Sequence, residues 1–312
     1  MEAVCIRQPI VTLLEVFILE QIVQQLINGI SLGSIYALIA LGYTMVYGII
    51  NLINFAHGEV LMVGSYIGFA LTGILGFSFF PALVISMAVC GLLGVIIEKI
   101  AYKPLRGGSR ISALITAIAV SLFLQYGMMY FVGPESRTYK NVLPSTQIPV
   151  FNTGAVIDIK SLYIIGITAL LMVALMYITG RTKIGKSMRA LSQDKDAAEL
   201  MGINVNRTIS YTFFIGSALA GAAGVLIGVY YSTLNPLMGA APGLKAFVSA
   251  VIGGIGIIPG AVFGGFFLAF VETIVSAAGY SLFKDAVAFL ILILVLLIKP
   301  TGLLGFNTSE KV

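Results

Sequence analysis

Charged residues are scarce in this chain. Of its 312 residues, 10% are Asp, Glu, Lys or Arg, whereas 59% are hydrophobic and the mean hydropathy is +1.03. Soluble domains contain about 25% charged residues, so the composition excludes a soluble protein. At about 20 residues per span, the length allows roughly eight to ten spans. The sequence therefore predicts an all-α polytopic membrane protein, a single helical bundle of about 8–10 transmembrane helices that include broken or half helices.

Histidine and cysteine are almost absent. The chain has one histidine, His57, and two cysteines, Cys5 and Cys90. So few side chains cannot build a disulfide framework, the usual metal sites or a Ser-His-Asp triad. We therefore expect no catalytic residue, no metal site, no bound cofactor and no enzymatic activity. The cations lie in separate loops and not on one continuous patch, which argues against nucleic-acid binding.

The longest charged interval is Arg181–Arg207, which holds six cations and three anions between two apolar segments. A cationic excess in a short loop is typical of the cytoplasmic side. Within it, Asp194–Met201 contains good helix formers and no Gly or Pro, and Gly202 follows as a candidate C-cap. The pattern predicts a short amphipathic helix on the cytoplasmic face.

The same interval contains a misleading motif. Gly180, Gly185, Lys186 and Ser187 match the spacing G-x-x-x-x-G-K-S/T of a phosphate-binding loop. That motif binds phosphate only between a strand and a helix, and the preceding Leu162–Thr179 is a membrane-length apolar run. The sequence therefore predicts basic residues at the end of a span, and any ATP is expected to be bound by another chain.

Apolar runs separated by polar segments predict the order of the spans. These runs are Leu26–Ile50, Val60–Leu75, Phe79–Ala101, Ile111–Val132, Leu162–Thr179, Thr208–Tyr231, Gly243–Ala278 and Ala286–Ile298. Pro9–Ile22 fits either an interfacial helix or a weak first span. Four cations between Lys99 and Arg110 predict a second cytoplasmic loop, and Lys299 and Lys311 place the C-terminus in the cytoplasm. Gly133–Ser161 is expected outside, with a small hairpin within Val142–Val150.

Gly243–Ala278 is too long for one crossing. As a single helix its 36 residues would extend about 54 Å. Gly253, Gly254 and Gly256 interrupt it, so we predict two helices or half helices with a glycine-rich joint. Irregular backbone at membrane depth is tolerated only inside protein or beside water, which makes these three glycines candidates for the translocation path.

Polar side chains in apolar surroundings are the other candidates for that path. Asn54, His57 and Glu59 interrupt the run after the first span, and Glu272 lies within a later one. Ionisable groups at membrane depth usually face a cavity or a partner. The alternatives are a solvated turn at a membrane edge for the first three and a helix–helix pair for Glu272. Glu98, beside Lys99, is interpreted as an interfacial charge.

Small residues recur every fourth position in Thr208–Tyr231. They form one stripe along a helix face and let a neighbouring backbone approach closely. The predicted packing residues are Gly216, Ala220, Gly224 and Gly228.

Three segments resemble one family. Ala37–Tyr66, ALIALGYTMVYGIINLINFAHGEVLMVGSY, resembles the N-terminal signature of bacterial branched-chain amino acid ABC transporter permeases of the LivH type. A second segment, Lys245–Gly265, is similar to the glycine-rich segment of the same permeases. A third, Ile291–Gly305, is similar to their C-terminal segment. The resemblance implies that residues 1–312 form a single ABC-importer permease domain in the bacterial inner (plasma) membrane, with 181–207 as the coupling loop.

The resemblance also implies a role for the cytoplasmic helix. Asp196, Ala197, Ala198 and Gly202 match the EAA-x-x-x-G element that docks on the ATPase subunit, with Asp in place of Glu and without the following Ile-x-Leu-Pro part. The implied partners are a second permease of the LivM type, two ABC ATPase subunits that bind the ATP, an extracytoplasmic substrate-binding protein, membrane lipid and the amino acid itself.

Three other functions stay open at this point. Related permeases for urea or short amides share much of the signature. A gradient-driven secondary amino-acid transporter would use Glu59 or Glu272 as the coupling acid, since broken helices occur there too. A purely structural membrane subunit is the third, and the polar interruption from Asn54 to Glu59 argues against it. The exact substrate, the pore-lining faces and the identity of the second permease chain are left open.

Overall fold

A computed structural model describes residues 2–50, 52–106, 108–139, 142–144, 146–150 and 154–305, and only the backbone of residues 2–18 and 110. The helices are α1 (Glu2–Ile50), α2 (His57–Phe69), α3 (Phe79–Ile97), α4 (Arg110–Val132), α5 (Ile159–Arg181), α6 (Lys183–Gln193), α7 (Lys195–Leu200), α8 (Val205–Tyr231), α9 (Ala240–Gly253), α10 (Ile258–Ala277) and α11 (Lys284–Ile298). The strands are β1 (Arg137–Thr138), β2 (Gln147–Pro149), β3 (Val156–Asp158) and β4 (Thr233–Leu234).

Seven of the described helices are long and apolar enough to cross a membrane, namely α1, α3, α4, α5, α8, α10 and α11. The shorter α2 and α9 are apolar too; α2 packs on α8 and α3, and α9 packs on α10 and α1. A π-helical turn continues α2 to Ile74. The prediction of an all-α polytopic membrane protein with broken helices is confirmed.

The bundle has a buried centre and an apolar exterior. In an apolar 18-residue stretch of each span, 83% of the residues are buried in α1 and 89% in α8. The corresponding shares are 11% in α4, 22% in α5 and 6% in α11. α1 packs on α10 and α8, and α8 packs on α2 and α3. The outer helices expose leucine, isoleucine and phenylalanine, as expected of faces in contact with lipid tails or other membrane subunits.

Small residues allow the central helices to approach closely. The α8 stripe is buried. A Cβ atom added at Gly224 would overlap the carbonyl oxygen of Leu61 in α2, and one added at Gly216 would lie 3.2 Å from the carbonyl oxygen of Gly42 in α1. α8 therefore holds both α1 and α2 through backbone contact, the arrangement that small residues permit in membrane bundles.

The two ends of the bundle differ in charge and structure. One end of the bundle carries Arg106, Arg189 and Lys299, and we call it the basic end. Helices α3, α5 and α11 end there, and α8 begins there. Short strands lie at the other end, where β1 pairs with β4 and β2 pairs with β3. The predicted hairpin within Val142–Val150 contains only β2, and its partner strand lies beyond that range.

The N-terminal region is one continuous helix. Pro9–Ile22 is not a separate element, because α1 runs unbroken from Glu2 to Ile50. The side chains of Cys5 and Glu15 lie outside the described part of the chain.

Gly243–Ala278 forms two helices, as predicted. The joint between α9 and α10 contains Gly254 and Gly256, whose φ angles of +109° and +91° favour glycine. The C-terminal segment closes this joint: the N–H of Leu303 donates to the Ile252 carbonyl at 2.8 Å and the N–H of Leu304 to that of Gly253 at 3.1 Å. These bonds satisfy carbonyls that the end of a helix leaves free.

Candidate functional site

The chain turns back into the bundle between α1 and α2. Asn54 holds this turn, because its Oδ1 accepts hydrogen bonds from the Ala56 N–H at 3.1 Å and from the Tyr102 hydroxyl at 3.0 Å. Asn54, His57 and Glu59 are 3%, 1% and 2% exposed. The turn is therefore enclosed by protein, in contrast to the alternative of a solvated turn at a membrane edge.

His57 packs into a space that a glycine leaves. Its ring lies 4.6 Å from the ring of Tyr43, measured between centroids, and a Cβ atom at Gly42 would lie 2.5 Å from the imidazole. Gly42 also contacts α8 at Gly216. α2 therefore begins level with Gly42, eight residues before the end of α1 at Ile50.

Glu59, in the first turn of α2, faces a cavity of about 180 Å³ between α2, α4 and α9. Its Oε2 atom accepts no hydrogen bond from the described residues. The cavity is lined by Tyr43, Phe55, Gly58, Glu59, Ile118, Ser121, Leu122, Gly239, Ala240, Gly243 and Leu244. It is therefore mostly apolar, with one carboxylate.

A second buried carboxylate, Glu272, has several partners. The Nζ of Lys245 in α9 lies 3.0 Å from Oε1 of Glu272 and 2.7 Å from Oδ1 of Asp285. The Tyr36 hydroxyl donates to Oε2 of Glu272 at 3.1 Å, and Lys245 donates to the same atom at 3.0 Å. We call these four residues the α9 cluster; they join α1, α9, α10 and α11.

Lys245 was not among the residues predicted from the sequence. A lysine inside an apolar helix is nevertheless a signal of a functional or structural site, because such a charge needs a buried partner. Among the alternatives for Glu272, the structure shows the helix–helix pair.

The predicted path residues do not form one cluster. Gly253, Gly254 and Gly256 lie at the basic end, where Gly256 contacts Gly48 of α1 and lines a second cavity of about 300 Å³ with Arg189 and Thr179. His57 and Glu59 lie further along α1, and Glu272 lies beyond them beside Tyr36. The candidates occupy three successive levels of the bundle.

The interpretation of Glu98 as an interfacial charge is wrong, because this side chain is 1% exposed. It forms an ion pair with Arg106 and accepts a hydrogen bond from the Ser210 hydroxyl at 2.7 Å. Arg106 also donates to Asn206 at 2.7 Å. These bonds connect the end of α3 to the start of α8 at the basic end.

The predicted helix at the basic end is α7. Asp194 caps its start, because Oδ1 accepts from the N–H groups of Asp196 at 2.9 Å and Ala197 at 3.0 Å. At its end Gly202 has a φ of +82°, and the N–H of Ile203 donates to the Ala198 carbonyl at 3.0 Å. These are the bonds of a Schellman C-cap, so the C-cap prediction is confirmed.

α7 presents a mixed surface. Asp196 and Ala197 are exposed and Ala198 faces the bundle. Leu200 and Met201 are 89% and 83% exposed; the sequence reading missed them. Two adjacent large apolar side chains on a polar segment mark a surface that another protein can cover.

α6 was not predicted. Thr182 caps it by accepting from the Gly185 N–H at 3.1 Å, and its residues Met188 and Leu191 are buried. Gly185, Lys186 and Ser187 lie inside α6, and the preceding element is the helix α5. The phosphate-loop spacing therefore has neither the strand nor the loop that the motif requires.

Comparison with known proteins gives matches along the whole bundle. The family described as "Branched-chain amino acid transport system / permease component" matches residues 25–296. The chain is 44% identical over 299 residues to the high-affinity branched-chain amino acid transport system permease protein BraD of Pseudomonas aeruginosa, covering 93% of this chain and 97% of that protein.

Two further relatives are called LivH. The Escherichia coli protein is 44% identical over 303 residues, with the same coverage of both chains. The probable branched-chain amino acid transport permease protein LivH of Methanocaldococcus jannaschii is 27% identical over 301 residues, covering 91% of this chain and 92% of that one. The family match over residues 25–296 spans the start of α2, α7 and the α9 cluster.

Proposed function

Because the chain belongs to the family of permease components of branched-chain amino acid transport systems, we propose that it is the transmembrane permease subunit of an ATP-driven importer for branched-chain amino acids. The observation that carries this proposal is 44% identity over 93% of the chain to permeases named for that transport. The multi-pass helical bundle supports it, since such a subunit must provide a path across the membrane.

The proposed complex contains this chain, a second permease of the LivM type, two ABC ATPase subunits and an extracytoplasmic binding protein. In this proposal the ATPase subunits bind the ATP, and no cofactor or catalytic residue is assigned to this chain. We place it in the bacterial inner membrane with the basic end and the C-terminus in the cytoplasm, because cations concentrate in short loops on that side. The pore forms between the two permeases.

α7 is the proposed contact with an ATPase subunit. Leu200 and Met201 supply exposed apolar area, and Asp196 and Ala197 lie on the exposed side of the same short helix. Asp194 and Gly202 fix both ends of α7, and α6 packs beside it. A capped helix of this kind transmits ATPase closure to α8 as a rigid-body displacement.

The two alternative transporters are less well supported. A permease for urea or short amides is not favoured by relatives named for branched-chain amino acids. A gradient-driven transporter needs a carboxylate free to exchange its ion; Glu272 is engaged by Lys245 and Tyr36, which leaves Glu59 for that role. The relatives, which are named permease proteins of a transport system, favour the importer.

The test is reconstitution of the four kinds of subunit in liposomes and measurement of ATP-dependent uptake of labelled leucine. Leu200→Glu is expected to reduce co-purification of the ATPase subunits and leucine uptake by roughly tenfold or more, because it places a charge in the apolar contact. Leu282→Glu is the matched control: Leu282 is 93% exposed at the opposite end. Uptake of leucine without ATP, or equal loss in both variants, would count against the proposal.

A further inference from the structure

We propose that the cavity between α2, α4 and α9 is a binding site within the permease for one zwitterionic, aliphatic amino acid, with Glu59 as the group that binds its ammonium. This inference rests on the proposed function, and it adds a substrate site inside the membrane subunit.

Glu59 lacks the partner that a buried carboxylate requires. It is 2% exposed, its Oε2 accepts no hydrogen bond from the described residues, and none of the ion pairs in the described part of the chain includes it. A buried charge without a partner is strongly disfavoured. The nearby Lys245 is engaged by Glu272 and Asp285. A cation that arrives with a ligand is therefore the natural complement.

Glycines bring Glu59 to the start of α9. A Cβ atom at Gly239 would lie 2.8 Å from Oε2 of Glu59 and would overlap the carbonyl oxygen of Gly58, and one at Gly243 would lie 2.9 Å from the Cα of Gly58. α2 and α9 therefore touch by their backbones beside the cavity. The carboxylate oxygen points at the place where α9 begins.

The start of α9 complements the other charge of a zwitterion. α9 is 14 residues long, and Gly239 and Ala240 at its N-terminus line the cavity. In its first turn the N–H of Ala240 donates to the Leu237 carbonyl at 3.4 Å and that of Gly243 to the Gly239 carbonyl at 2.9 Å, and Pro242 has none. The N–H of Ala241 and the partial positive charge of this helix end are therefore what α9 offers to a ligand. A ligand carboxylate fits there while its ammonium reaches Glu59, so both charges of an amino acid are matched within one cavity.

The remaining walls suit an aliphatic side chain. Phe55, Ile118, Leu122 and Leu244 contribute apolar surface. The cavity of about 180 Å³ corresponds to roughly six water molecules at about 30 Å³ each, which is the scale of one small amino acid. Ile118, Leu122 and Leu244 are 44%, 45% and 43% exposed, so the cavity is open on one side. The charge orients a ligand there, and the apolar walls contact its side chain.

The experiment is equilibrium binding of labelled leucine to the purified complex of both permeases and the ATPase subunits, without the binding protein. Glu59→Gln is expected to weaken binding roughly 10- to 100-fold, the effect of losing a charge-assisted hydrogen bond. Glu135→Gln makes the same chemical change on an exposed loop residue and is expected to leave binding unchanged. Ser121→Leu fills the cavity and is expected to weaken leucine binding more than alanine binding.

Ligand analogues separate recognition from a structural effect. Leucinamide keeps the ammonium and is expected to compete with leucine in the wild-type complex, whereas 4-methylpentanoate lacks it and is expected not to compete. Glu59→Gln should lose this discrimination while eluting as an intact complex.

Three results overturn the site: no saturable leucine binding by the wild-type complex, unchanged binding in Glu59→Gln, or competition by 4-methylpentanoate. If the same wild-type complex shows ATP-dependent leucine uptake once it is reconstituted in liposomes with the binding protein, the proposed function survives any of these results. Absence of that uptake rejects the function itself.

Discussion

Two buried carboxylates near α9 have opposite surroundings. Glu272 is held by the ammonium of Lys245 and the hydroxyl of Tyr36, whereas Oε2 of Glu59 has no hydrogen-bond partner among the described residues. Both side chains are 2% exposed, so burial alone does not distinguish them. A carboxylate with fixed partners holds helices together, and one without partners beside a cavity is available to a ligand.

The strongest test of this comparison removes the cation of the α9 cluster. Lys245→Met leaves Glu272 without its cation, and breaking a buried pair by removing one partner costs about 3–5 kcal/mol. We expect that loss in the free energy of unfolding, measured by thermal unfolding of the permease in detergent. Lys183→Met, at an exposed lysine of α6, should have little effect.

A double variant sharpens the same test. Lys245→Met combined with Glu272→Gln removes both buried charges, and it should recover a large part of the lost stability. Asp285 is half exposed and can be hydrated in either variant. A double variant no more stable than Lys245→Met would show that the ion pair is not what joins these helices.

The next test concerns the packing of α8 against α2, the helix that carries Glu59. Gly224→Leu places a side chain where α8 touches the Leu61 carbonyl, and overpacking of this kind costs about 1–3 kcal/mol. We expect lower membrane levels and less assembled complex. Gly127→Leu is the control, because a Cβ atom there meets nothing within 4 Å. Wild-type levels and activity for Gly224→Leu would refute the packing role.

The smallest stability effect is expected at Glu59. Glu59→Gln removes a buried charge without breaking a hydrogen bond to its Oε2. The free energy of unfolding, measured by thermal unfolding, should therefore stay within about 0.5 kcal/mol of wild type or rise. The isosteric Glu272→Gln should lower it clearly more, because Lys245 then loses its buried counter-ion. Equal destabilisation by both variants would remove the distinction between a structural and a ligand-binding carboxylate.

Features governed by local backbone rules were predictable from sequence. The helix Asp194–Met201 lies within one or two residues of its observed bounds, because Asp194 and Gly202 are strong cap residues. The division of Gly243–Ala278 follows from its length and from glycines that adopt positive φ. The α8 stripe is a periodic pattern, and its members lie buried against α1 and α2.

Features that depend on distant parts of the chain were not predictable. Lys245 finds Glu272 on another helix, and Glu98 is buried by Arg106 and Ser210 at the start of α8. α6 becomes a helix with two buried apolar residues only because the bundle covers them. The cavity beside Glu59 exists where α2, α4 and α9 meet, and no local pattern in any of the three contains it.

The two hydrogen bonds from Leu303 and Leu304 to the end of α9 can form only late in the synthesis of the chain. Ribosomes add about 5–20 residues per second, and Leu303 follows Ile252 by 303 − 252 = 51 positions. The last carbonyls of α9 therefore wait roughly 3–10 seconds for their donors during synthesis. The joint between α9 and α10 at the basic end is therefore among the last places in the bundle to be closed.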